Sequence, residues 1–312
     1  MSAWVRRRGR RPRVAGKSVS GYNGKHGLEG DAMRELDCGL ITEAVSEMCV
    51  SANCRLGDEV KAALAEAEKL ETNPLGRSVL RTLLENAALA EAENIPLCQD
   101  TGLAVVFLEL GQDLHLTGGD LEEAVNAGVA RGCEAGYLRR SMVRDPLRRV
   151  NTGDNTPAVI HLRLGPGDRL KITVAPKGFG SENMGALGLL KPADGVSGVK
   201  NFVLESVRAA GANPCPPVIV GVGVGGTMEM AALLAKRALL RPLGERHPDP
   251  FWAGLEEELL EAVNRLDIGP AGFGGRTTAL AVHLSPYPTH IAGLPVAVNL
   301  SCHAARHQTR IL

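Results

Sequence analysis

The chain has 312 residues, 44% apolar, 22% charged and only 3% aromatic, with a formal net charge of zero. That length supports one large or two ordinary domains with a real core, built from Ala, Val, Leu and Ile because aromatics are scarce. No apolar run reaches the length of a membrane span, and residues 1–28 hold eight Lys or Arg and no acid, leaving 27 basic against 35 acidic residues in a body of the wrong sign for nucleic acid.

The first stretch, MSAWVRRRGRRPRVAGKSVSGYNGKHG, lacks the apolar run of a secretory signal. Its composition predicts a disordered extension over residues 1–32, ahead of one body over 33–312. Residues 33–53 predict a helix, with Leu36, Leu40, Ile41, Ala44, Val45, Met48 and Cys49 on one face. Two further Ala- and Leu-rich helices fall near 57–72 and 76–93, divided by Asn73-Pro74. The pattern then changes. GLAVVFLEL (102–110) is strand-like and 120–137 helical. AVIHLRL (158–164) and RLKITVA (169–175) alternate around Gly165-Pro166-Gly167-Asp168, which predicts a hairpin. Residues 199–211 predict a helix stopped by Gly211, PVIVGVGV a buried strand, and TMEMAALLAKRALLRPLG a helix ending near Pro242. A helix follows, capped by Asp249 with Pro250 in its first turn. TTALAVHLSPY and GLPVAVNLSC are late strands. The fold class is α/β, mixed sheets interleaved with helices, the N-terminal third helical.

Gly221, Gly223 and Gly226 spell GxGxxG between a strand and a helix, the spacing of a dinucleotide fingerprint. The second strand that should carry a ribose-binding acid is missing, because the helix runs into RPLGERHPDP. The alternatives are close packing of strand on helix, or backbone approach to a bulky group held by Cys215.

Seven cysteines without a framework spacing and without CxxC argue for a reducing compartment, the cytoplasm, and against a zinc ribbon. Cys98, Cys215 and Cys302 each lie among turn-forming or polar residues where an element ends. Cys49 and Cys133 sit in helical patterns as small core residues, and Cys38 and Cys54 lie at helix edges. Three loop thiols are one short of structural zinc or a fully ligated cluster, and on a four-iron cluster they would leave one iron open. On spacing alone, three unrelated buried thiols remain an alternative.

PLCQDTG, VNTGDNTPA, KGFGSEN, NPCPPVIVGVGVGG, IGPAGFGG and THIAGLPVAVNLSCHAARH together resemble, in order from about residue 33 to the C-terminus, the α chain of class I iron–sulfur fumarate hydratases. The L-tartrate dehydratase α chain belongs to the same superfamily, and NLSCHAAR looks like the fumarase version. The resemblance implies a 4Fe–4S cluster on Cys98, Cys215 and Cys302, and a hydro-lyase of the tricarboxylic acid cycle that interconverts fumarate and malate. By motif it places Gln99, Arg139 and Gly180 against substrate, and Asp100 and His290 as catalytic groups. Phe179 stands where the family often has glycine. The family's remaining cationic groups and a proposed threonine base lie on a β subunit, so the chain is expected to fill half of an active site in a heteromer, a heterotetramer. A non-catalytic cluster-binding subunit is the alternative from another class, and an NAD-dependent dehydrogenase the third.

Overall fold

The computed structural model describes residues 33–312; the expected disordered extension over 1–32 lies outside them. The body begins with strand β1 (Arg34–Asp37) and helices α1 (Cys38–Cys54), α2 (Asp58–Leu70) and α3 (Pro74–Glu93). Strands β2 (Leu103–Gly111) and β3 (Leu114–Thr117), helix α4 (Leu121–Ala135) and strands β4 (Val159–Gly165) and β5 (Leu170–Lys177) follow. A single turn, α5 (Phe179–Glu182), leads to β6 (Ala186–Leu190), α6 (Gly195–Ala210) and β7 (Val218–Gly225). Helices α7 (Met228–Ala238) and α8 (Pro250–Asn264) precede β8 (Ala279–Tyr287), β9 (Leu294–Ser301) and β10 (Gln308–Ile311). The α/β reading holds.

Two four-stranded mixed sheets carry the body, in the orders β10-β5-β2-β4 and β6-β9-β7-β8. On the first, Val106, Leu108, Ile172 and Val174 meet Ile41 and Val45 of α1 and Val125 and Val129 of α4. On the second, Val220, Val222, Leu284 and Val298 meet Val203 and Val207 of α6 and Leu259 and Val263 of α8. Its other face takes α7, where Ala231 and Ala235 reach Ala297. Leu64 and Leu80, from α2 and α3, close over Ile219 and Ala281. Small aliphatic side chains thus fill the core, as the composition requires.

Helix starts follow their caps. Asp37 accepts from Gly39 N–H at 2.7 Å, Asn73 from Leu75 N–H at 3.0 Å, and Asp249 from Phe251 N–H at 2.9 Å. The Asp37 cap also corrects the first predicted helix, whose opening residues form β1 and pair in parallel with β3. A second correction concerns the predicted hairpin. Strand β2 lies between β4 and β5, parallel to the one and antiparallel to the other. The connecting turn wraps the end of β2 instead: Gln112 N–H donates to Gly165 O and Asp113 N–H to Gly167 O, both at 2.9 Å. Helix α7 ends at Ala238, one turn before Pro242.

The glycine motif resolves as strand-on-helix packing. A Cβ on Gly221 would stand 2.2 Å from Ala235 O, and one on Gly223 would stand 2.0 Å from Ala231 O. The α7 backbone fills the space that a pyrophosphate or a bulky group would need. Gly226, at φ 68°, makes the turn into α7. It leaves β7 at the end opposite Cys215, so these glycines open no approach to that thiol.

Candidate active site

Three chain segments distant in sequence meet at one end of the second sheet. Cys215 lies three residues before β7 and Cys302 directly after β9. The two strands are antiparallel with Ile219 opposite Ser301, so both thiols emerge at the same end. His303 fastens them: its backbone N–H and its Nδ1 donate to Cys215 O at 3.4 and 3.0 Å. Burial pushes the His303 pKa down and keeps the ring neutral, with the proton on Nδ1. Cys215 itself holds φ 55°, a left-handed conformation that is uncommon outside glycine and clusters at functional sites.

The third thiol arrives from the loop between α3 and β2. Arg306 Nη2 donates to Asp100 O, tying the Cys98 loop to the Cys302 loop. Burial pushes the Cys215 thiol pKa up, and the nearby Cys302, Cys98 and Asp100 add to that push. Burial also raises Cys302, against the pull of the Arg306 guanidinium, the Ala304 N–H and the Lys177 ammonium. Cys215 is exposed and Cys98 and Cys302 half-buried, whereas Cys38, Cys49, Cys54 and Cys133 are buried; all seven are free thiols. Burial, with Cys133 beside it, pushes Cys49 up to about 12, an inert core thiol. The split between loop and core cysteines is the one the sequence predicts.

Around the thiols, Asp100 is anchored on both oxygens, Oδ1 by Gly102 N–H at 3.1 Å and Oδ2 by Phe179 N–H at 2.8 Å. The β2–β5 register, with Leu103 opposite Lys177, brings the Cys98 loop beside the Gly178–Gly180 turn. Gly180 is exposed, and a Cβ there would meet only Asn213 O, at 3.5 Å, on the Cys215 loop. Gln99 is exposed, its Oε1 accepting from Cys98 Sγ at 3.3 Å. Arg139 N–H donates to Thr101 Oγ1 at 2.9 Å, which sets its exposed side chain at the edge of the same loop.

His290 stands elsewhere. It occupies the turn between β8 and β9, while Cys302 follows the end of β9. Of the eleven residues between them, the eight of β9 are extended strand, which at about 3.4 Å per residue sets roughly 25 Å between the strand's two ends. Its neighbours are Val196, Phe251, Trp252 and Ile291 around a groove of about 370 Å³. Within one chain the structure joins Cys98, Cys215, Cys302, Gln99, Asp100, Arg139 and Gly180, and leaves His290 at the far end of the sheet.

Sequence reasoning passed over the residues that hold this site together: Thr101, Asn155, Lys177, His303 and Arg306. Asn155, nearly buried at φ 67°, accepts from Ser141 N–H at 3.0 Å and donates to Gly102 O at 3.0 Å, so it pins the Arg139–Ser141 segment to the Cys98 loop. Lys177 is buried, donates to Ser181 Oγ at 2.7 Å and pairs with Glu182 at 3.4 Å. Burial pushes it down to about 8, against the Glu182 charge. Burial alone would raise Glu182, but hydrogen bonds from Lys236 and Asn299 and the charges of Lys236 and Lys177 lower it overall. All five residues fall in or beside motifs of the resemblance, which was the available signal.

Among the described residues, no three His, Cys, Asp or Glu side chains stand close enough to close on a single metal ion. A multi-iron cluster is larger than an ion and holds its thiolates further apart. Three open thiols with no disulfide partner, beside the buried and unpartnered Arg306 Nη1, fit such an anionic sulfur-bound group. No helix of the described residues is long and apolar enough to cross a membrane.

The profile of the fumarate hydratase (Fumerase) family matches residues 42–311. A Methanocaldococcus jannaschii protein, provisionally named L(+)-tartrate dehydratase subunit alpha, is 43% identical over 272 residues, 85% of this chain and 95% of its own. The L(+)-tartrate dehydratase subunit alpha of Escherichia coli UTI89 is 36% identical over 273 residues, 86% of this chain and 89% of its own. That of Escherichia coli K12 is 35% identical over 276 residues, 87% and 90% respectively.

Proposed function

This chain belongs to the fumarate hydratase (Fumerase) family, and from that premise we propose that it is the α subunit of an iron–sulfur hydro-lyase that adds water to fumarate to give malate, and removes it. The observation that carries this reading is the meeting of Cys98, Cys215 and Cys302, whose loops are tied by His303 to Cys215 O and by Arg306 to Asp100 O. These three thiolates would hold a 4Fe–4S cluster. With three protein ligands the bound cluster supplies a Lewis-acidic iron for a substrate oxygen.

The chain's own residues supply the rest of the half-site. Arg139 offers a guanidinium for one carboxylate, which it can take in a bidentate fashion. Gly180, exposed and with room where a Cβ would stand, offers a backbone N–H, and the exposed Gln99 an amide. Asp100 is held by two backbone donors, and each of its oxygens keeps a lone pair for a proton of the departing water. One substrate carboxylate and the C3 base remain to be provided by a β subunit, the partner implied by the alpha naming of the relatives. The assembly is proposed as a heterotetramer in the cytoplasm, where its place is in the tricarboxylic acid cycle.

Tartrate dehydration is the second reading, favoured by the names of the relatives at 43% and 36% identity. Both substrates are C4 dicarboxylates, so Arg139 and Gly180 suit either. The deciding experiment reconstitutes the chain anaerobically, alone and with its β subunit, and assays fumarate, mesaconate and tartrate. Turnover of fumarate above tartrate supports the first reading, and the reverse order supports the second. Full turnover by the chain alone would overturn the half-site, and a loaded pair inert toward all three would leave a non-catalytic cluster subunit.

A further inference from the structure

We propose that Arg306 is a positioning residue for the cluster: Nη2 joins two of the ligand loops, and Nη1 donates to a sulfur of the group they hold. This rests on the cluster reading above. Arg306 is 7% exposed, and its Nη2 donates to the backbone carbonyl of Asp100. Nη1 is buried and has no acceptor.

Other buried or half-buried cations are compensated. Lys177 and Lys236 share Glu182, at 3.4 and 2.5 Å, and Arg241 pairs with Glu256. Arg306 enters no ion pair among the described residues; its only acceptor is a neutral carbonyl. Buried Asn53 Oδ1, Arg241 Nε and Asn299 Oδ1 also lack partners, but two of these belong to neutral amides and the third to a guanidinium that already faces a carboxylate. A buried guanidinium with no anion carries a large desolvation cost. Water could enter the adjoining cavity of about 30 Å³, between Val105, Phe107, Lys177, Ser301 and Arg306, and accept a hydrogen bond. It would bring no charge.

The fitting counter-charge is the sulfur-bound group itself. Arg306 follows Cys302 by four residues and binds the carbonyl two residues after Cys98, so it touches both loops. Three thiolates on a four-iron core of charge two plus leave one negative charge in excess, the amount one guanidinium balances. Hydrogen bonds and positive charge at cluster sulfurs raise the reduction potential. Arg306 therefore sets both the spacing of the ligand loops and the ease with which the cluster accepts an electron.

The test uses the full chain with its β subunit, loaded anaerobically, and reads iron per chain and the midpoint potential by EPR-monitored reductive titration. A wild type that takes up no iron–sulfur chromophore would sink the cluster reading, whatever Arg306 does. With wild type loaded, Arg306→Gln is expected to shift the midpoint downward while Arg306→Lys stays near wild type. A clamp that acts on the loops alone would lower iron content and leave the midpoint of loaded clusters unmoved, and that result overturns the proposal. Should the Gln variant fail to load, wild-type protein labelled with ¹⁵N-arginine decides by pulsed EPR of the reduced cluster. A ¹⁵N coupling lost in Arg306→Lys supports the donor, and no coupling in wild type overturns it.

Discussion

His303 donates twice to one acceptor, its N–H and its Nδ1 both ending on Cys215 O. The Cys215 and Cys302 loops are thereby joined through protein bonds alone, with no bound group required. His303→Ala removes the side-chain half of that joint, about 1 kcal/mol of hydrogen bonding. The expected result is a fold of unchanged circular dichroism that takes up less than half the wild-type iron on anaerobic reconstitution. Full iron uptake would show that the joint does not position the ligands.

Two glycines should respond in opposite ways. Gly223→Ala drives a Cβ to 2.0 Å from Ala231 O, where helix backbone has to move. Overpacking of this kind costs about 1–3 kcal/mol, read as a lower urea midpoint. Gly180→Ala meets nothing closer than Asn213 O at 3.5 Å, so stability should hold. Turnover of the loaded α/β pair should fall, because the methyl stands beside the N–H assigned to substrate. If Gly180→Ala were active at the wild-type rate, that N–H would have no part in binding.

Most of the fold was legible, for physical reasons that also explain the failures. Caps act within three residues: the Asp249 helix starts where the sequence places it, while Asn73, read only as a divider, caps a helix that begins at Pro74, two residues ahead of the expected 76. The hairpin failed because strand pairing is non-local. Gly165-Pro166-Gly167-Asp168 turns the chain, but nothing local says that β2 slots between the two strands it joins. The short strands β3, β6 and β10 carry too few residues for a period to show. At the site, turn residues set Cys98, Cys215 and Cys302 apart from the helical cysteines, but spacing alone left three unrelated thiols open and only the resemblance joined them. Arg306 and Asn155 were not legible, since their work is done by single hydrogen bonds to segments 206 and 53 residues away. His290 came from the resemblance, which carries no distance, and the β9 strand between it and Cys302 sets the two apart within one chain.

Acid should weaken the fold through His283. Burial, with the Arg241 charge adding to it, holds this imidazole down to about 4, from an ordinary 6.5, and its Nδ1 faces Ala238 O at 3.1 Å. A base whose folded pKa is depressed contributes stability above its unfolded value and loses it as pH falls toward the folded one. The window is therefore 6.5 down to 4, and the full effect is about 3 kcal/mol at 1.36 kcal/mol per pKa unit. Urea unfolding across that window should show stability falling with pH in wild type and a clearly shallower fall in His283→Gln. Equal slopes would assign the acid sensitivity to other groups.

His290 poses a question that one chain cannot answer alone. It lies at the far end of β9 from Cys302, roughly 25 Å away by strand rise. A general acid or base must come within hydrogen-bond reach of the proton it moves. If His290 serves the reaction, it serves the thiol site of a neighbouring α chain in the heterotetramer. His290→Asn should then lower turnover by about a hundredfold, the ordinary scale for losing such a group, while iron per chain stays at the wild-type level. Cys215→Ser should abolish both. Co-assembly of the two variants with β subunit creates mixed pairs in which one site has intact thiols and receives an intact histidine from its neighbour. Random pairing in a two-fold assembly predicts recovery of about a quarter of wild-type activity. Full activity of His290→Asn by itself would remove His290 from the chemistry. Loss without recovery in the mixture would sink the shared-site reading.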